Sequence, residues 1–138
     1  MAVDRHAPFL KDLTRRTRSS EAFSRIASLQ GDMRALPFSD NRFDLIWSEG
    51  AIYIMGFEAG LRSWRPLLKE SGCVAITEIS WLTGEPPEEP KEFWSRNYPA
   101  MATIASNRSM AEAAGYEIWH HLPSPRGTGG RTTTSRSR

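Results

Sequence analysis

Three strand ends carry the chemistry that this sequence offers. Asp4 closes the apolar pair Ala2-Val3, and Asp32 follows the short run "IASLQ" across Gly31, about twenty-eight residues later. A carboxylate ending a strand can accept hydrogen bonds from both hydroxyls of a ribose, and bonds to a charged acceptor contribute roughly 1.5 to 3 kcal/mol each. A second carboxylate at the end of the neighbouring strand stands where an adenine amino group can donate to it. Either acid by itself is more commonly a turn former or a helix cap. The pair is what suggests a nucleoside, because one helix separates the acids, as it separates consecutive strands of a doubly wound sheet. The third end is Ser48-Glu49-Gly50, closing "FDLIWS". Ligands of open α/β sheets lie beyond the carboxyl ends of the strands, which predicts one crevice for all three. Glu49 is the plausible general base there, and Tyr53 is the nearest hydroxyl.

The elements that must position these residues follow from periodicity. "HAPFLKDLTRRTRSSEAFSRI" reads as helix, with Phe9, Leu10 and Leu13 on one face and Lys11, Arg15, Arg16 and Arg18 on the other, a solvated face. Strands are expected over Ile26 to Gln30 and Phe43 to Ser48, the latter introduced by the turn signal Ser39-Asp40-Asn41. Phe57 to Glu70 reads as a helix with Phe57, Leu61, Trp64 and Leu68 on one stripe, kinked by Pro66 and stopped at Ser71-Gly72. "CVAITEISWL", Cys73 to Leu82, has the unbroken β-branched character of a strand buried on both faces of a parallel sheet, which places Cys73 in the core. Thr83 to Pro90 is a loop. Helical patterns follow around "KEFWSRNY" and "SNRSMAEAAG", and "YEIWHHL" is a last strand. Strands alternating with helices predict an α/β fold with a mostly parallel sheet.

Composition narrows the function classes. The chain has 138 residues, 39% of them hydrophobic, enough for one modest core. It has no apolar run of bilayer length and no secretory signal, which implies a cytoplasmic protein. Its net charge is +2, but residues 124–138, "SPRGTGGRTTTSRSR", hold four arginines and no acid, so the remainder carries −2. A mildly acidic body has no basic stripe for specific nucleic-acid binding. The tail has no apolar residue to repay its ordering entropy and is expected to be disordered. His120 and His121 are adjacent, so on a strand they point to opposite faces, and no metal site is expected. The aromatics at Phe93, Trp94 and Tyr98, after a Pro-rich loop, are candidates for lining a substrate pocket.

The run from Gly31 to Gly72 contains Gly-Asp-x-x-x-Leu-Pro-Phe, Phe-Asp-Leu-Ile and Leu-Leu-Lys-x-x-Gly in order. It resembles the middle of a class I S-adenosylmethionine-dependent methyltransferase of the small-molecule type, and the resemblance covers about residues 2–123. The fold it implies is a Rossmann-like, mostly parallel sheet with flanking helices in the strand order 3-2-1-4-5-7-6. By this likeness Asp4, with Arg5 beside it, belongs to the ribose contact. Asp32 and Met33 match the adenine contact, and Ser48, Glu49 and Gly50 match the segment facing the methionine portion and the substrate. The likeness also implies S-adenosylmethionine as cofactor and a small-molecule acceptor. Met1 falls inside what resembles the second strand, so the first strand with its glycine-rich loop is expected to be absent, as is the last strand. A partial domain over residues 1–123 and a tail over 124–138 follow. Such a chain is expected to bind the cofactor weakly or not at all, and to turn over nothing by itself. The alternatives are a non-catalytic or partner-dependent half domain that self-associates through open strand edges, and a fragment of a nicotinamide-dependent dehydrogenase, in which an acid also ends the second strand.

Overall fold

The computed structural model describes residues 1–122 and the strand 132–137. The chain divides into two compact units, residues 1–37 and 38–138.

In the first unit, β1 (Ala2–Asp4) and β2 (Ser28–Gln30) pair in parallel, with Asp4 opposite Gln30. They are joined by α1 (Ala7–Thr17) and a 3-10 turn at Phe23–Arg25. Pro8 sits in the first turn of α1, where its missing N–H costs no helical bond. The helix is shorter than the predicted stretch. At its end the Thr14 and Thr17 hydroxyls donate to the carbonyls of Leu10 and Leu13, a local competition that weakens further winding.

The second unit begins with β3 (Phe43–Glu49), a 3-10 turn at Ile52–Ile54 and α2 (Phe57–Trp64). The helix predicted to reach Glu70 ends at Trp64. Pro66 cannot donate a helical bond, so the chain tightens into a 3-10 turn, Arg65–Leu67, and β4 begins at once (Leu68–Thr77). Gly72 is therefore no helix stop but part of a bulge. The pairing with β3 steps from Phe43 opposite Leu68 to Leu45 opposite Cys73. A Cβ at Gly72 would lie 2.9 Å from the carbonyl oxygen of Phe43, so only glycine lets the bulge close on its neighbour. The strand also stops at Thr77, short of the predicted Leu82. Beyond it come α3 (Glu88–Asn97), α4 (Ile104–Ala113) and β5 (Tyr116–Leu122).

Along β4 burial alternates. Val74 and Ile76 are buried with Ile52, Leu61, Trp64 and Leu68, while Cys73, Ala75 and Thr77 are half-buried. The expectation of a strand covered on both faces, with Cys73 in the core, is thus corrected. The core lies on the face of the β-branched Val74 and Ile76, and the smaller Cys73, Ala75 and Thr77 of the opposite face remain partly open.

The second sheet runs β3-β4-β6-β5, where β6 is Thr132–Ser137, antiparallel to both neighbours. This overturns the expected absence of a last strand and the expected disorder of those six residues. Backbone pairing between two strands demands no apolar side chain, so a polar, threonine-rich segment that lacks hydrophobic alternation still forms a ladder. The rest of the predicted tail, residues 124–131 and 138, lies outside the described residues. In the strand numbering implied by the resemblance, β1-β2 corresponds to the run 2-3 and β3-β4-β6-β5 to the run 4-5-7-6. The fold is accordingly α/β and Rossmann-like. Among the described residues no helix is long and apolar enough to cross a membrane.

Candidate functional site

The first unit brings Asp4, Arg5, Asp32 and Met33 to the carboxyl ends of β1 and β2. The Gly31 N–H donates to the Asp4 carbonyl (3.1 Å), which carries the pairing of β1 and β2 one residue past the ladder toward Asp32. Both acids also make the local bonds that residues of this type make in turns. Asp4 Oδ1 accepts from the His6 N–H (2.7 Å), and Asp32 Oδ1 accepts from the Arg34 N–H (3.0 Å). Each bond fixes one carboxylate oxygen and orients the other. Arg5 faces Asp32 Oδ2 at 4.0 Å, an open, solvent-screened pair worth little to stability. Asp4, Asp32 and Met33 are half-buried, whereas Arg5 is exposed. Two partly shielded, acceptor-only groups on adjacent parallel strands are the donor-binding chemistry that a ribose diol and an adenine amino group need, so these residues fit the nucleoside part of S-adenosylmethionine.

The second unit holds the other predicted residues. Ser48 lies on the core face of β3 opposite Ile76 and is buried, with its Oγ lacking a hydrogen-bond partner. Glu49 is opposite Thr77 on the outer face and is exposed. Gly50 takes φ +55°, the left-handed region, and its N–H donates to Thr77 Oγ1 (2.7 Å). No atom lies within 4 Å of where its Cβ would be, so glycine is selected by the turn and leaves the strand end open. Tyr53, in the following turn, is about half-exposed, and its ring packs on that of Tyr98 with centroids 5.8 Å apart.

Tyr98 leads to a residue that sequence reasoning missed. Its hydroxyl donates to Glu78, the residue after β4, and both are buried. Burial pushes the Glu78 carboxyl above the usual carboxylate range, against the lowering effect of the Tyr98 bond, and pushes the Tyr98 hydroxyl far above its ordinary value. Glu78 Oε1 is enclosed without a partner. Beside it is a cavity lined also by Phe57, Ser80, Asn107, Arg108 and His121. The Asn107 amide donates to Ser80 Oγ (2.9 Å). A signal was available in the sequence: a lone acid inside a β-branched run cannot sit in an apolar strand without a purpose. Of the predicted pocket aromatics, Tyr98 alone is buried, while Phe93 and Trp94 pack edge to face on α3, which has no buried residue.

Comparison with known proteins identifies the class. Residues 1–72 match the family described as "Methyltransferase domain", so the chain belongs to the methyltransferase-domain family. That membership decides against the dehydrogenase alternative. A curated relative is the ubiquinone/menaquinone biosynthesis C-methyltransferase of Idiomarina loihiensis, 31% identical over 112 residues, which take in 64% of this chain and 45% of that one. The chain thus spans less than half the length of that relative. Among solved structures, geranyl diphosphate methyltransferase in complex with S-adenosylmethionine superposes with a TM-score of 0.76 at 12% identity, over 99% of this chain and 67% of the other. The cyclase SpnF superposes as well, with a TM-score of 0.76 at 16% identity, over 98% and 65%. At such identities these structures establish the fold, and a cyclase among them shows that this fold does not by itself dictate the reaction. S-adenosylmethionine is the cofactor that the family and its cofactor-bound neighbour support.

Proposed function

We propose that the methyltransferase domain to which this chain belongs transfers a methyl group from S-adenosylmethionine to a small-molecule acceptor, and that this chain supplies binding residues for that reaction without turning over by itself. The observation that carries the reading is the pair Asp4 and Asp32, acceptor-only groups at the carboxyl ends of adjacent parallel strands in a chain of the methyltransferase-domain family. When bound, the cofactor supplies an electrophilic methyl group. The protein's own residues have simpler tasks. Asp4 holds the ribose hydroxyls, and Asp32, with Met33 beside it, holds the adenine. Ser48, Glu49 and Gly50 line the strand end that serves the methionine portion and the acceptor, where the open space at Gly50 admits a ligand close to the backbone. Glu49 and Tyr53 receive or relay a proton from the acceptor in this reading. Much of the remaining rate comes from holding the reactants in line. The geranyl diphosphate on which the superposing methyltransferase acts, a small molecule, supports the acceptor class.

Titration calorimetry with S-adenosylmethionine tests the reading. Asp4→Asn keeps the oxygen that accepts the His6 N–H but removes the charge, and at least a tenfold loss of affinity is expected from the weaker hydrogen bonds. Equal affinities for the variant and the wild type would refute the assignment.

A second reading, assembly through an open strand edge, is favoured by β3. This strand is at the edge of its sheet, and it exposes Trp47 and Leu45 to 69% and 48%. Long apolar edges recruit a further strand unless charge or covering prevents it. Light scattering after gel filtration should then give twice the chain mass, and Trp47→Lys should return it to the monomer.

A further inference from the structure

The cluster around Glu78 is built as a binding point, and nothing in the nucleoside-binding half of the site uses it. Glu78 is 6% exposed at the carboxyl end of β4, the end at which open α/β sheets take their ligands. One of its oxygens is enclosed with no partner, although Tyr98 donates to the carboxylate. A buried carboxylate left one donor short is costly, and natural cores satisfy such groups nearly always. Acids kept in this condition concentrate at functional sites. The cavity next to it has about 10 Å³ for the centre of a water-sized group, so it admits one polar tip and not a whole molecule. Around that space stand Ser80, Asn107 and His121, which offer further polar atoms, and Arg108 contributes a cation. Outside the pair, the half-exposed ring of Tyr53 lies on that of Tyr98, an aromatic surface for the body of a ligand whose tip enters.

We propose that Glu78, held by Tyr98, recognises the methyl acceptor through a hydrogen-bond donor, an O–H or N–H at the tip of an otherwise apolar molecule. This rests on the methyl-transfer reading and names the acceptor class for it. Glu78 is a binding residue in this scheme, and it selects molecules by what they can donate. An analogue of the same shape without the donor leaves the carboxylate unpaired and is rejected.

Phenol and toluene, which differ by hydroxyl against methyl, are the probes. Carbon-13 resonances of the Glu78 carboxyl are followed in the full chain while each is added. Phenol should shift the Glu78 signal saturably, with toluene at least about tenfold weaker, the factor that one hydrogen bond to a charged acceptor supplies. Glu78→Gln keeps an accepting oxygen but removes the charge, and should cut the preference to a few-fold at most. Glu78→Asp, which keeps the charge but withdraws it by one methylene, should reduce it several-fold and serves if the Gln variant does not fold. Equal binding of the two probes, no shift with either, or a preference undiminished by both substitutions would overturn the proposal. Calorimetry with S-adenosylmethionine is run on the same samples. A chain that distinguishes phenol from toluene yet binds no cofactor loses the methyl-transfer reading, whereas one that binds the cofactor but ignores the hydroxyl loses only the Glu78 assignment.

Discussion

Replacing Tyr116 by phenylalanine removes one hydroxyl from the core, and its effect should reverse with pH. Tyr116 begins β5, is 3% exposed, and donates to the carbonyl oxygen of Leu61 on α2 at 3.0 Å. That carbonyl also accepts the Arg65 N–H, and the Arg65 guanidinium lies 5.8 Å from the Tyr116 ring centre, so the variant leaves neither group stranded. The cost at pH 7 is therefore one buried hydrogen bond, about 1 kcal/mol. In the folded wild type, burial pushes the hydroxyl from its ordinary 10.0 up to about 12, against a small lowering by Arg65. A raised folded value contributes stability that is complete below pH 10 and is lost as pH rises from there through 12. At pH 11 the unfolded chain has released most of this proton and the folded chain little of it, which costs the wild type about 1.4 kcal/mol. The advantage of tyrosine should thus vanish at pH 11 or turn slightly negative. Urea unfolding of both proteins at pH 7 and pH 11, followed by circular dichroism, measures it. A difference that is the same at both pH values would refute the reasoning, because the hydroxyl would then titrate alike in the folded and unfolded chain.

Three further outcomes are expected. Gly60→Ala should gain about 1 kcal/mol in helix propensity, but its Cβ would fall 2.6 Å from Cγ1 of the fully buried Ile52. Overpacking at a stiff β-branched neighbour costs about 1 to 3 kcal/mol, so thermal unfolding should reveal a net loss near 1 kcal/mol. Gly50→Ala meets no neighbour and should lose about 1 kcal/mol from its left-handed backbone alone, visible in the same melts. Glu78→Gln should melt higher than the wild type at pH 7.5 and equally at pH 4. A carboxyl whose folded value is raised contributes stability only while protonated and loses it as pH rises, and the amide has no charge to bury.

The positions of the candidate acids at strand ends could be read from the chain because strand ends are marked locally. Gly31 and the Ser39-Asp40-Asn41 turn bracket the segments that place Asp32 and Ser48, and β3 was predicted to within one residue. Glu78 escaped for the opposite reason. "CVAITEISWL" continues in β-branched and apolar residues past the point where β4 stops, so nothing local marks its carboxyl end. The end of α2 and the start of β4 were misplaced together. Pro66 predicts a disturbed helix, but whether the chain kinks or turns straight into a strand depends on pairing with the distant β3, whose Phe43 lies opposite Leu68 and whose Leu45 lies opposite Cys73.

What the sequence determined by itself is the family and the residue chemistry: acids at strand ends, the Leu-Pro-Phe turn, and a β-α alternation, all written in short-range patterns of side-chain type. The tertiary structure alone decided which strand faces are covered, that a polar segment of threonines closes the ladder between β4 and β5, and that Glu78, Tyr98 and His121 belong to one cluster. Residues 78, 98 and 121 are separated by whole helices. Backbone pairing reads no side chains, and burial is a property of what lies opposite a residue, so neither leaves a mark that the chain alone displays.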